Sequence, residues 1–207
     1  PISFVVRLYA PKTELCIISK PFDLKIKRRF KNVHLIGGVM RPEILNSTWR
    51  PKGTHILCYL RGRTENVLPI LTTFSELSGL EVRLYGKTTP KNNTKIISKP
   101  ISEKSFVSDM VSSDLVISTA GTQVISETHH LGVPTILLPE PGQIEQKLNS
   151  ILAQKLMSRT IKVLPKNLTV DVISKSIENL HKNNHKIPEY KPNEALDLIH
   201  QFLKSEN

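Results

Sequence analysis

The stretch DLVISTAGTQVISETHHLGVPTILLPEPGQIEQKLN, residues Asp114 to Asn149, alternates short apolar runs with segments of helical period, separated by turns rich in Gly, Pro and Thr. Its first run, Leu115 to Ser118, is short and β-branched, as a buried strand requires. At Thr119 the run stops, and Ala120, Gly121 and Thr122 make a tight turn of small residues. Such a turn lets backbone N–H groups approach an anion at the N-terminus of the helix that follows. Glu127 stands further along that helix, five residues after Thr122. Its carboxylate could accept hydrogen bonds from both hydroxyls of a ribose while phosphates rest on the turn. After the next strand, PEPGQIEQKLN places Glu145, Gln146 and Asn149 three or four residues apart at a helix start. Their side chains are expected on one face, toward the same edge. Amides and carboxylates so clustered suit a polyhydroxylated sugar. Gly132 and Pro134 chiefly punctuate the turn from helix to strand.

The same alternation runs from residue 55 onward. Strands are expected at His55–Leu60, Glu81–Tyr85, Lys95–Ser98, Asp114–Thr119, Pro134–Leu138 and Thr160–Leu164. Helices are expected at Glu65–Leu77, Glu103–Ser112, Thr122–Leu131, Glu145–Met157, Val170–His181 and Asn193–Lys204. This is the pattern of βα units and a parallel sheet. In Glu145–Met157 the apolar residues Leu148, Ile151, Leu152 and Leu156 follow helical spacing, a stripe expected to face the core. The loops RGRT (61–64), KPIS (99–102), TAGT (119–122) and PEPGQ (139–143) join strand ends to helix starts. They therefore share the edge of the sheet where open α/β folds bind ligands.

Residues 1–45 differ in character. Two short apolar runs, Ile2–Leu8 and Leu15–Ser19, precede a basic block, and NVHLIGGVMRPE (32–43) leads into a polar linker at 46–54. This part reads as strand-rich, an appendage or the tail of a preceding domain, with residues 55–207 as the main domain. A chain of 207 residues with 39% hydrophobic content suffices for one α/β domain and a smaller appendage.

No run approaches eighteen apolar residues, and the start at Pro1 shows no secretion signal, so a soluble, cytoplasmic chain is expected. Cys16 and Cys58 lie inside apolar runs and read as reduced core thiols. Residues 1–63 hold thirteen Lys or Arg against three acids, so nearly all of the net charge of +11 is N-terminal. The block Lys25, Lys27, Arg28, Arg29 and Lys31 suits a solvated face, an anionic membrane surface or a phosphate-bearing substrate. Nucleic acid is not expected, because no aromatic-interleaved basic patch accompanies the charge. His129 and His130 point about 100° apart on a helix and have no second ligand pair, so no metal site is expected.

The run Asp114–Asn149 resembles the donor-binding region of GT-B glycosyltransferases. The likeness is strongest to the branch holding the bacterial cell-wall N-acetylglucosaminyltransferase and the two-subunit enzyme of the eukaryotic dolichol pathway. Gly121, Thr122, Glu127, Gly132, Pro134, Pro139, Gln146 and Asn149 carry the likeness. NVHLIGGVMRP is similar to the segment by which those enzymes leave their N-terminal domain. The resemblance implies that the turn Thr119–Thr122 holds a diphosphate, Glu127 the ribose, and Gln146 and Asn149 the donor sugar, with Glu145 added to the sugar side by the spacing above. Lys99–Ile101 falls where the family contacts the base, with Ile101 as the donor residue. The first loop, Leu60-Arg61-Gly62-Arg63-Thr64, departs from the family's Gly-Ser pattern. Only Gly62 and Thr64 keep the phosphate-facing role, and the two arginines either touch the diphosphate or face solvent.

The fold expected is thus α/β, a Rossmann-like parallel sheet flanked by helices. It would be the C-terminal half of a GT-B fold with a small N-terminal remnant of strands. The expected function is that of a donor-binding domain or subunit taking a nucleotide sugar, UDP-sugar first, with no cofactor and no metal. Its partner would be an acceptor domain or subunit, because the family's base resides there and no catalytic residue is assigned in this chain. The acceptor would be lipid-linked and the location peripheral at the inner membrane face. A nucleotide-sugar hydrolase or epimerase, and a non-catalytic nucleotide-binding or interaction domain, stay open.

Overall fold

The computed structural model describes residues 13–22, 31–60, 66–86, 95–100, 103–187, 191 and 194–205. The readings placed on Ile2–Leu8, on the basic residues 25–29 and on Gly62, Thr64 and Ile101 lie outside the described residues. By its packing the chain divides into two units, one of Met40–Ile187 and one of Pro1–Val39 with Pro188–Asn207.

In the smaller unit, β1 (Cys16–Ser19) pairs in parallel with β2 (Val33–Ile36). The larger unit runs α1 (Pro42–Leu45), β3 (His55–Tyr59), α2 (Leu68–Ser78), β4 (Glu81–Tyr85), β5 (Ile96–Lys99) and α3 (Glu103–Ser112). It continues with β6 (Val116–Ser118), α4 (Thr122–Leu131), β7 (Thr135–Leu137), α5 (Ile144–Leu156), β8 (Thr160–Lys162) and α6 (Val170–Leu180). The smaller unit ends in α7 (Glu194–Ser205), whose Glu194 carboxylate accepts from the Gly37 amide at 3.0 Å.

All six strands of the large sheet are parallel, in the order β5-β4-β3-β6-β7-β8. Counted within the unit this is 3-2-1-4-5-6, the doubly wound order whose direction reverses between β3 and β6. Parallel strands joined through helices are covered on both faces, and alternate residues of one strand serve opposite cores. Ile56 and Cys58 of β3 pack with Leu71, Phe74 and Ile173. Leu57 packs on the other side with Phe106, Met110, Val124 and Leu131. Cys58 is a buried free thiol and Cys16 a half-buried one.

Helix α4 ends on Gly132, whose φ of 73° is the left-handed conformation that glycine adopts without strain. The stripe on α5 departs from expectation. Ile151 and Leu156 are exposed, and the helix buries Asn149, Ser150 and Ala153 instead. Small residues on that face let the helix approach closely, and Asn149 enters because the turn before α4 offers it partners. Spacing identified the helix correctly but not the face that meets the sheet.

Candidate functional site

The turn Thr119–Gly121 leaves the end of β6 at the reversal point of the sheet, in the crevice where open α/β sheets bind ligands. Gly121 is the N-cap of α4, with φ −75° and ψ 140°, and it brings no side chain to cap the helix. A Cβ on Gly121 would meet nothing within 4 Å, so the space above the turn is open. The first amides of α4 have no partner within the helix and point toward that space with the positive end of the helix dipole.

The two segments singled out in the sequence are tied together here. The Asn149 amide, buried at the start of α5, donates to the Ala120 carbonyl at 3.2 Å and reaches the Thr122 hydroxyl at 3.4 Å. Thr122 donates in turn to the exposed Glu145 carboxylate at 3.2 Å. Gln146 has a different partner: its carbonyl oxygen accepts from the Glu140 amide at 2.9 Å and secures the loop before α5. Of the three side chains expected on a common face, Glu145 and Asn149 share Thr122 as a partner, while Gln146 braces the loop.

Glu127 has no solvent exposure. One carboxylate oxygen accepts from the Arg41 amide and from the Gln123 side chain, each at 3.2 Å. The other oxygen meets the Arg41 guanidinium at 2.5 Å. Burial raises the Glu127 pKa above the ordinary carboxyl value, and the charge and hydrogen bonds of Arg41 oppose that rise. The guanidinium also lies 4.7 Å above the centre of the Phe106 ring. Neither Arg41 nor Phe106 was foreseen as part of the site. Arg41 sits inside the quoted GGVMRP segment, but its partner is 86 positions away, beyond the reach of any local pattern.

A second polar cluster lies beside this one. The buried Asp109 of α3 receives Arg83 at 2.7 Å, Lys99 at 2.7 Å and the Tyr85 hydroxyl at 2.6 Å. Burial alone would raise its pKa, but the hydrogen bonds from Lys99 and Tyr85 and the charge of Arg83 outweigh that and lower it. These contacts fix Lys99 at the end of β5, the first residue of the segment expected near a base. Two surface clefts, one of about 610 Å³ along the end of α5 and one of about 400 Å³ between the linker and α3, include neither the 119–122 turn nor Glu127.

A six-stranded parallel sheet of this order, flanked by helices, is the doubly wound α/β architecture shared by the domains of GT-B glycosyltransferases. Residues 2–193 match the family model described as glycosyl transferase family 1, and the chain belongs to that family. It is 32% identical over 103 residues to the UDP-N-acetylglucosamine–N-acetylmuramyl-(pentapeptide) pyrophosphoryl-undecaprenol N-acetylglucosamine transferase of Acetivibrio thermocellus. That match covers 46% of this chain and 28% of the relative. Among solved structures, the calicheamicin glycosyltransferase CalG4 superposes with a TM-score of 0.60 at 15% identity, covering 98% of this chain and 59% of that one. MurG of Acinetobacter baumannii gives 0.56 at 14% identity, covering 91% and 60%. At those identities the superpositions speak for the fold. The chain spans less than two thirds of each of these three proteins.

Proposed function

We propose that this chain is the donor-binding half of a glycosyltransferase, taking a nucleotide diphosphate sugar, with UDP-sugar as the first candidate. The observation that carries the reading is the convergence at one strand edge of the open Gly121 turn, the Thr122–Glu145–Asn149 group and the buried Glu127. On this reading the amides at the start of α4 hold the diphosphate, and Glu127 takes the ribose hydroxyls. Glu145 and Asn149 face the sugar, and the strand end after Lys99 lies by the base. Gly62, Thr64 and Ile101 complete the contact set by resemblance. The relative's printed name supplies both a UDP-sugar donor and a pyrophosphoryl-lipid acceptor, and the second is proposed here as the acceptor class.

Group transfer needs an acceptor hydroxyl, a base to take its proton, and stabilisation of the departing diphosphate. This chain would supply the last of these, with positive backbone dipoles aimed at the leaving group. The base is assigned to an acceptor-side partner, a separate subunit or a further domain. Helix α7 fits such a partnership, because Leu196, Ile199 and Leu203 form an exposed apolar stripe along it. No helix among the described residues is long and apolar enough to cross a membrane.

The test is calorimetric titration of the chain with UDP, GDP, ADP and dTDP and their sugars. Binding of one nucleotide class, lost in Glu127→Ala and weakened in Thr122→Val, is the expected result. Indifference to all of them would leave an interaction role in place of a donor site. Robust sugar transfer by this chain alone would overturn the division of labour.

A further inference from the structure

A carboxylate offers about four acceptor positions, two on each oxygen. Among the described residues Glu127 uses three of them: the Arg41 amide and Gln123 on one oxygen, and the Arg41 guanidinium on the other. Gln123 is exposed and can turn into solvent. That frees a second position beside the unused one, which makes two sites for the two hydroxyls of a ribose. Two well-aimed sites exist only while Arg41 holds the carboxylate plane in place.

Arg41 is a long side chain with many rotamers, and something has to hold it. The Phe106 ring does so from below, at 4.7 Å from the guanidinium. Phe106 is itself wedged between two tyrosines, edge-on to Tyr59 at 5.4 Å and to Tyr85 at 5.0 Å. The Tyr85 hydroxyl is tethered to Asp109, which also holds Lys99. Phe106 and Asp109 lie three residues apart on α3, so one helical face supports both Arg41 and the end of β5.

We infer that Phe106 is a positioning residue of the nucleotide site: by carrying Arg41 on its ring it orients Glu127 for two hydroxyls, and so sets the preference for ribo- over 2′-deoxyribonucleotides. The inference rests on the donor-site reading above. It follows from the chemistry of the ring and not only from its bulk. An aliphatic side chain of similar size would fill the core, but it has no negative π-face to hold a cation. A site built to hydrogen-bond a hydroxyl rejects the analogue that lacks it, provided its acceptors are held in place.

The experiment compares dissociation constants of UDP and 2′-deoxy-UDP for the wild-type chain, for Phe106→Leu, and for chains carrying 4-fluoro-, 3,5-difluoro- or pentafluorophenylalanine at position 106. Fluorination weakens the π-face while leaving shape nearly unchanged, so the series stays informative should the leucine variant fail to fold. The expected result is a UDP preference that falls stepwise along the series, by about fivefold at its end. With Arg41→Lys as background the same series should have little further effect, since the two residues act as one unit. Equal weakening of both nucleotides, or an unchanged preference, would overturn the role of Phe106. Failure of the wild-type chain to bind UDP, or to prefer it over the deoxy form, would instead overturn the donor-site reading.

Discussion

Arg41 and Glu127 form an ion pair in which the carboxylate has no solvent exposure and the guanidinium side chain retains 17%. The pair joins the start of the larger unit to the middle of α4. A buried carboxylate left without its cation is strongly destabilising, whereas the pair itself adds little over an apolar substitute.

Arg41→Met should therefore lower stability by about 3 kcal/mol at pH 8, and Arg41→Met with Glu127→Gln should regain part of it. The pH dependence follows from the raised pKa of Glu127, which rises further once Arg41 is gone. Between the unfolded and folded values the native state binds more protons, so stability grows as pH falls through that window and is lost as pH rises. Urea midpoints at pH 5 and pH 8 check this. A defect in Arg41→Met that is larger at pH 5 than at pH 8 would contradict it.

At the other end of α4 sits a cluster of imidazoles. His129 and His185 meet edge-on with ring centres 5.4 Å apart, and His130 adjoins them. Burial lowers the pKa of all three, that of His129 to about 4, with the neighbouring imidazoles and Arg159 adding to the effect on His129 and His185. The unfolded chain then binds more protons than the native one below about pH 6.5. Stability is complete above that value and is lost as pH falls toward 4. His129 alone should account for about 1–2 kcal/mol, allowing for solvent screening. Melting temperatures from pH 7.5 to 4.5 should show a shallower fall in His129→Phe than in the wild type.

Gly132 lies against the same cluster. Its φ of 73° disfavours any side chain, and a Cβ would come within 2.5 Å of the His185 ring. Gly132→Ala should be destabilising by roughly 2 kcal/mol, from backbone strain and displaced packing together. Arg159 would lose registry as well, since it donates to the carbonyls of Gly132, His181 and Asn183. Denaturant unfolding measures the loss. The fluorescence of Trp49, the one tryptophan of the chain, should shift with it because Arg159 lies over that ring.

Asn149 and Glu145 should separate stability from binding. Asn149→Leu removes a buried donor from the Ala120 carbonyl, for an expected loss of about 1–2 kcal/mol. Glu145→Ala removes an exposed carboxylate and should change stability by less than about 0.5 kcal/mol. Both should weaken a nucleotide sugar more than the free nucleoside diphosphate. Equal effects on the two ligands would place Glu145 and Asn149 away from the sugar.

Much of the domain was legible from local pattern. Strand and helix positions in 55–181 match within a few residues, because β-branched runs and Gly or Pro turns act locally. The turn at 119–122 was legible for the same reason, since small residues before a helix have few other uses. Three features were not. The apolar residues of α5 gave its period but not its buried face, which Asn149 and Ala153 occupy. Gln146 was grouped with Glu145 and Asn149 by spacing, yet it braces Glu140. The partner of Glu127 was invisible, because an ion pair across 86 residues leaves no mark on either neighbourhood.

The segment Asp114–Asn149 by itself determined βα units joined by a tight Ala-Gly-Thr turn at a helix start, since hydrophobic period and turn chemistry are properties of consecutive residues. Tertiary structure alone decided the strand order that puts this turn at the reversal of the sheet. It also decided that Glu127 is buried on Arg41, and that Phe106 lies beneath the guanidinium. Those facts depend on which distant segments meet, and only the packing of the sheet and its two helical layers brings them together.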